Sequence, residues 1–232
     1  MVIQRLVAGA AALAALACAP QARPQTAVPV EQTPYHVPVF SNDYVAVLNV
    51  FIPPQRTSGF HRHSLDSLGV LISDTERTGQ PLGAAATITP RRDVGSVSFT
   101  FYSREAAVHA VTVTGDQPFH NIVVELLQPS ADGFTPGSRD GVPGYAPILD
   151  NERVRAWRLV LEPGEEAPAI TQAAPGIRIV VAGGEIVERV PGRPDRGMAP
   201  HSGEFFWQDA GVLRSVQNMG ATRIEFVEVE LK

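Results

Sequence analysis

Past residue 40 the chain is written in short apolar runs. VAVLNVFI, LGVLIS, VSFTFY, AVHAVTV and NIVVELL are rich in β-branched and aromatic residues and are bounded by turn residues, which is the signature of strands. No segment beyond that point repeats its apolar residues at helical spacing over a helical length. Twenty Gly and twenty Pro among 232 residues supply frequent turns. The predicted fold class is therefore all-β, in antiparallel barrels or sandwiches of roughly a hundred residues each.

The pattern also repeats. VFSNDYVAVLNVFIPPQ from Val39 aligns without gaps on ILDNERVRAWRLVLEPG from Ile148, so that Asn42 meets Asn151, Val45 meets Val154 and Pro54 meets Pro163. The halves match again at their ends, where Val111 meets Val216, Gly115 meets Gly220 and Glu125-Leu126 meets Glu230-Leu231. Internal duplication governs the fold reading, because each repeat is one structural unit. The Gly/Pro-rich stretch 128–147 reads as a linker between a first barrel, 38–127, and a second, 148–232.

The N-terminus reads as targeting rather than fold. One early cation, Arg5, precedes an apolar core from Leu6 to Ala17 that is too short to span a bilayer, so residues 1–18 are expected to be an export signal. Ala15-Leu16-Ala17-Cys18 resembles a bacterial lipoprotein cleavage box, with Ala15 where Leu is usual. It implies membrane attachment through lipidated Cys18; ordinary cleavage after Ala17 would instead leave a secreted or periplasmic protein. Residues 19–37, rich in Pro, Gln and Ala, are expected to be a flexible tether. Cys18 is the single cysteine, so the mature body is stabilised by packing rather than by disulfides.

Charge narrows the partners. The formal net charge is −5 and the pI about 5.7, with no basic cluster, which excludes nucleic acid as an expected partner. A small-molecule ligand is the expected one.

The candidate chemistry sits in GFHRHSLDSLGVLIS, from Gly59. In a strand His61 and His63 project to one face. Asp66 breaks that parity unless Ser64-Leu65-Asp66 turns and resets the phase; Leu68, Val70 and Ile72 would then point inward with it. Imidazoles with a carboxylate suit Fe, Mn, Ni, Cu or Zn, and ligand type alone does not choose among them. His36, in the entry segment, and His201, in a Gly/Pro-rich loop, are expected to face solvent. His120 begins a strand after a turn and is expected to be wet.

The tandem strands with H-x-H resemble the cupin superfamily, and the duplication resembles a bicupin. That superfamily's motifs are G-x5-H-x-H-x3,4-E-x6-G and G-x5-P-x-G-x2-H-x3-N. The resemblance implies two tandem antiparallel jelly-roll barrels and a divalent metal held by three histidines and a glutamate. Here His61 and His63 match the first pair, Asp66 stands one position before the usual glutamate, and His109 matches the second motif. The first half lacks scaffold positions: Gln55, Ala106 and Val113 replace Gly, Gly and Asn. The second half keeps them as Gly164, Gly211 and Asn218 but carries Ile170, Gln172, Pro175 and Arg214 at the ligand positions.

Phe60, Leu68, Val70, Phe99 and Phe101 are expected to wall the first pocket, with Tyr102 at its rim. The resemblance implies a dioxygenase-like metal enzyme, as in quercetinase-like members, acting on a small organic substrate, with Asp66 as the base. The alternative is a cupin that binds a metal or small ligand without turnover. In the second barrel, Arg214 is the candidate to clamp a carboxylate. Pairing of two copies through edge strands is implied by the resemblance.

Overall fold

The structure is a computed structural model that describes residues 26–128 and 134–232. The expected export signal and Cys18 lie outside the described residues. The first half forms ten strands: β1 (Val28–Pro29), β2 (His36–Ser41), β3 (Val45–Ile52), β4 (His61–His63), β5 (Ser67–Ser73), β6 (Arg77–Pro81), β7 (Thr87–Thr89), β8 (Val97–Thr100), β9 (Ala107–Val113) and β10 (Phe119–Leu126). The second half forms nine: β11 (Tyr145–Asp150), β12 (Val154–Leu161), β13 (Glu166–Thr171), β14 (Gly176–Ala182), β15 (Ile186–Arg189), β16 (Arg196–Met198), β17 (Phe205–Gln208), β18 (Leu213–Asn218) and β19 (Ile224–Leu231).

Each half folds into two facing sheets. They are ordered β2-β3-β10-β5-β8 and β1-β4-β9-β6-β7 in the first half, and β11-β12-β19-β14-β17 and β13-β18-β15-β16 in the second. Alternation along the strands sends one residue set into each barrel. Leu48, Val50, Ile52 and Leu71 fill part of the first, and Leu159, Leu161, Val180 and Phe226 the second.

The opposite set does not face water. Val45, Val47, Leu68, Val70 and Val124 of the first half form one apolar cluster with Val154, Ala156, Ile177, Ile179 and Val227 of the second. The two barrels thus pack sheet against sheet, and both faces of the central sheets are buried. Strand β5 is accordingly buried along its whole length except at Ser73. Strands with that environment lose the apolar-in, polar-out alternation that a solvated sheet would show.

The repeat is visible in hydrogen bonds. The Asn42 Oδ1 accepts from Tyr44 N–H and Val45 N–H, each at 2.9 Å; Asn151 Oδ1 accepts from Arg153 N–H at 2.8 Å and Val154 N–H at 2.9 Å. The scaffold glycine of the second half, Gly164, has φ +82°, and Gln55 in the equivalent place of the first half takes φ 59°. The left-handed turn survives there without its glycine, held by bonds from Gln55 Nε2 to Thr114 O (2.7 Å) and Gly115 O (3.1 Å).

Two expectations about connecting segments need correction. The chain from Val28 is not a tether: it adds β1 in parallel to β4, makes a 3-10 turn over Val30–Gln32, and buries Val30 in the barrel. The later part of the stretch 128–147 is not a bare linker either. It buries Arg139 inside the second barrel, and its last residues begin β11.

Candidate metal centre

Strands β4 and β9 lie antiparallel with His61 directly opposite His109 and His63 opposite Ala107. The period of two places His61 and His63 on the same face, toward the barrel interior. The ring centroids are 4.6 Å apart for His61 and His109, and 5.1 Å for His63 and His109. A fourth imidazole completes the group. His36, on the edge strand β2, is buried with its centroid 4.4 Å from that of His61 and 6.2 Å from that of His63. One nitrogen from each of His36, His61 and His63 lies within 4.8 Å of the others. The expectation that His36 faces solvent is thus overturned. β2 is extended beside β3, with His36 paired to Val50, and this carries the side chain inward.

The hydrogen bonds point ring nitrogens at a common centre. His61 Nδ1 lies 3.0 Å from Gly59 O, so Nδ1 carries the proton and Nε2 the lone pair; that Nε2 is buried with no partner. The Thr33 hydroxyl donates to Val30 O at 2.9 Å and lies 2.7 Å from His36 Nδ1. Its proton is thereby used, so it accepts from His36 Nδ1–H and leaves the lone pair on Nε2. His63 Nδ1 is likewise buried and unpartnered. Orphaned polar atoms of this kind are uncommon in a folded chain, and a metal ion would satisfy them. Oriented, neutral imidazoles are the donor set that divalent transition metals take.

Electrostatics keep the rings neutral. Burial first, then the mutual repulsion of neighbouring imidazoles, holds His36 down to about 2 and His63 to about 3. Burial and then His61 hold His109 to about 4. His61 is lowered by burial, against the opposing pull of its bond to Gly59.

Asp66 is not part of this group. Its Oδ1 accepts from Ser103 N–H at 2.9 Å, and its Oδ2 is ion-paired with the Arg153 guanidinium of the second barrel. It lies on the face of the chain that carries Leu68 and Val70, and that face points out of the first barrel. The roles of ligand and base expected for Asp66 therefore have no geometric support.

The same phase moves the pocket walls. A cavity of about 150 Å³ opens beside His36, His63 and His109 and is lined by Ser67, Gly69, Ser98 and Asn121 among others. Leu68, Val70 and Phe99 belong instead to the packing between barrels. Phe101 meets Phe99 edge to face at 4.8 Å and lies under the Arg104 guanidinium, while Phe60 precedes β4 and holds Val28 N–H through its carbonyl. None of these five lines the cavity. Tyr102 does, stacked on His63 at 4.8 Å, with its hydroxyl pKa raised by burial and partly restored by Thr100. Asn121 Oδ1 is buried without a partner. His120 alternates away from the cavity to bond Asn49 Oδ1 at 2.8 Å, and His201 is exposed.

In the second barrel Ile170 lies opposite Arg214, the register of His61 and His109. The space opened in the first barrel by Gly69, which faces Val123, is taken by Arg178 facing Glu228. Arg178 bonds Glu228 at 2.8 Å and Glu188 at 3.2 Å; Arg139 pairs with Glu228 and, at 2.8 Å, with Glu230. Burial penalises these charges most, yet their partners together outweigh it, holding Arg139 and Arg178 raised and Glu228 lowered. An internal ion network thus fills the place where the first barrel keeps its cavity.

The comparison with solved structures bears on the fold of the two halves. AerE from Microcystis aeruginosa matches with a TM-score of 0.58 at 14% identity, over 86% of this chain and 98% of that one. A cupin 2 conserved barrel domain protein from Leptotrichia buccalis matches at 0.51 and 8% identity, over 84% and 88%. The fold is a tandem cupin. Salicylate 1,2-dioxygenase from Pseudaminobacter salicylatoxidans shares this cupin fold, at a TM-score of 0.54 and 13% identity, over 81% of this chain and 71% of that one. No protein-family profile matches the sequence, and no curated protein matches it significantly. Within the tandem cupin, the histidine group belongs to the first barrel and the ion network to the second.

Proposed function

We propose that this tandem cupin is a metal-dependent oxidoreductase of dioxygenase type, with its centre in the first barrel. The observation that carries the reading is the group of four neutral imidazoles beside a cavity, three of them buried and His109 half-buried. His36, His61 and His63 would hold the metal, with His109 as the fourth candidate. Iron, manganese, nickel, copper or zinc all suit such donors, and a bound metal would act as a Lewis acid and, if redox-active, would activate dioxygen.

The remaining residues define the substrate. A cavity near 150 Å³ takes a body of about one benzene ring. Its walls are mixed: Ser67, Ser98, Thr100 and Asn121 offer hydroxyl and amide groups, while Val50, Ile52, Val111, Phe119 and Val123 supply an apolar side. The unpartnered Asn121 Oδ1 would accept a hydrogen bond from a substrate hydroxyl, and Tyr102, braced on His63, would orient the ring. A small hydroxylated aromatic acid fits these features. The likeness in fold to salicylate 1,2-dioxygenase, also solved with gentisate, supports the same class.

One observation favours a second reading. Among the described residues lining the cavity there is no carboxylate, so no protein base stands ready, and a binding protein without turnover is the alternative. Oxygen uptake by the metal-reconstituted chain with salicylate or gentisate separates the two. Uptake that is lost on Asn121→Ala with metal retained supports the enzyme. Saturable binding of either acid with no oxygen consumption supports the binder. We further propose export, carried by residues 1–18 and tested by fractionating cells that express the full chain.

A further inference from the structure

The mouth of the second barrel holds a feature the ion network does not absorb. A cavity of about 420 Å³ opens there between β17 and β16, and three arginines, Arg193, Arg196 and Arg214, line it. Among the described residues none of the three forms an ion pair, whereas Arg178, Arg189 and Arg139 close by all do. Arg214 is the deepest. It is half-buried, its Nε is buried with no acceptor, and it stands opposite Ile170, the position that His109 holds opposite His61. Of the acids of the same cavity, Glu188 is paired with Arg178 at 3.2 Å, and Asp209 accepts from Trp207 Nε1–H at 3.0 Å and keeps its charge. In a chain of net charge −5, three guanidinium groups without ion pairs outnumber the one uncompensated carboxylate of this cavity and leave its lining positive.

We propose that the second barrel binds a small organic carboxylate with an apolar body, its carboxylate on Arg214. The guanidinium fork matches a carboxylate in two parallel bonds. Val190, Met198, Phe206 and Val212 supply the apolar wall against which the body rests. Arg193 and Arg196 are exposed at the rim and steer the anion inward. A single deep guanidinium suits a singly charged, planar group better than a phosphate, which would call on several donors at once. The site rests on no property of the histidine group.

The test is calorimetric titration of the full chain with benzoate, and separately with inorganic phosphate. It is run in the His61→Ala/His63→Ala background, so that coordination in the first barrel contributes nothing. Benzoate should bind once per chain, phosphate should not displace it, and Arg214→Met should weaken it by roughly tenfold or more. Absence of benzoate binding, equal binding by Arg214→Met, or displacement by phosphate would overturn the proposal. Thermal melting checks that Arg214→Met folds. If it does not, Val212→Trp, which fills the cavity without touching charge, decides: loss of benzoate binding supports the site and retention overturns it.

Discussion

Asp66 of the first barrel and Arg153 of the second form a buried ion pair across the packed sheets. The carboxylate also accepts from Ser103 N–H at 2.9 Å, and the guanidinium reaches Gln128 O. The aspartate that follows the H-x-H signature thus joins the barrels instead of serving the metal. Removing one partner of a buried pair strands the other, so Asp66→Asn should lower unfolding stability by about 3 kcal/mol. Metal content per folded chain should stay unchanged. Chemical denaturation and elemental analysis on the same sample check both halves of that statement.

Neighbours on β5 should behave oppositely. Leu68 is fully buried between the barrels, so Leu68→Ala should cost about 2–5 kcal/mol with little effect on ligands in the first barrel. Gly69 faces the cavity, and a Cβ there would stand 2.8 Å from Asn121 Nδ2 and 3.1 Å from Ser98 Oγ. The Asn121 amide can shift, so Gly69→Ala should fold but should weaken binding of salicylate in the metal-loaded protein by about tenfold. The reverse pattern would mean that the strand faces the other way.

Gln55 offers a comparison of backbone strain with side-chain bonding. Gln55→Ala loses both bonds to the 114–115 carbonyls and keeps φ near 59°, whereas Gln55→Gly loses the bonds and relieves the backbone. The glycine variant should therefore be the more stable of the two by about 1 kcal/mol, measured by denaturant titration.

Glu125 should make stability depend on pH. Burial, and then Glu31, raise its carboxyl from 4.5 to about 7; Arg62 lines the same cavity. The unfolded chain gives up this proton more readily than the folded one. Its contribution is therefore neutral well below about pH 4.5, grows unfavourable between about 4.5 and 7, and is constant above that. Glu125→Gln should stabilise the protein at about pH 8 and change little at about pH 4. Melting curves at the two pH values show whether the sign is right.

Much of this architecture is legible in the sequence because it lives in repeats and strand runs. The equivalence of Asn42 with Asn151, and of His109 with Arg214, carries through to matching turns and matching register. Strand phase was not legible in the same way. Ser67 and Gly69 alternate with Leu68 and Val70, and Ser98 and Thr100 with Phe99 and Phe101. The ordinary reading turns the large apolar set inward. Here the outside of the sheet is another barrel, and the inside is a cavity to which these two strands turn Ser67, Gly69, Ser98 and Thr100, so the set is reversed. His36 escaped because it lies 25 positions before His61, in a segment whose composition resembles a tether. The signal that could have found it is the repeat itself: β2 and β11 occupy the same edge position in the two halves.

The most direct test is metal content, by elemental mass spectrometry, of the untagged full-length chain and of its His36→Ala and His61→Ala/His63→Ala variants. The parent should hold about one transition-metal ion per chain, His36→Ala should be clearly depleted, and the double variant should hold none. Equal metal in all three proteins, or none in the parent after reconstitution, would contradict a metal centre in the first barrel.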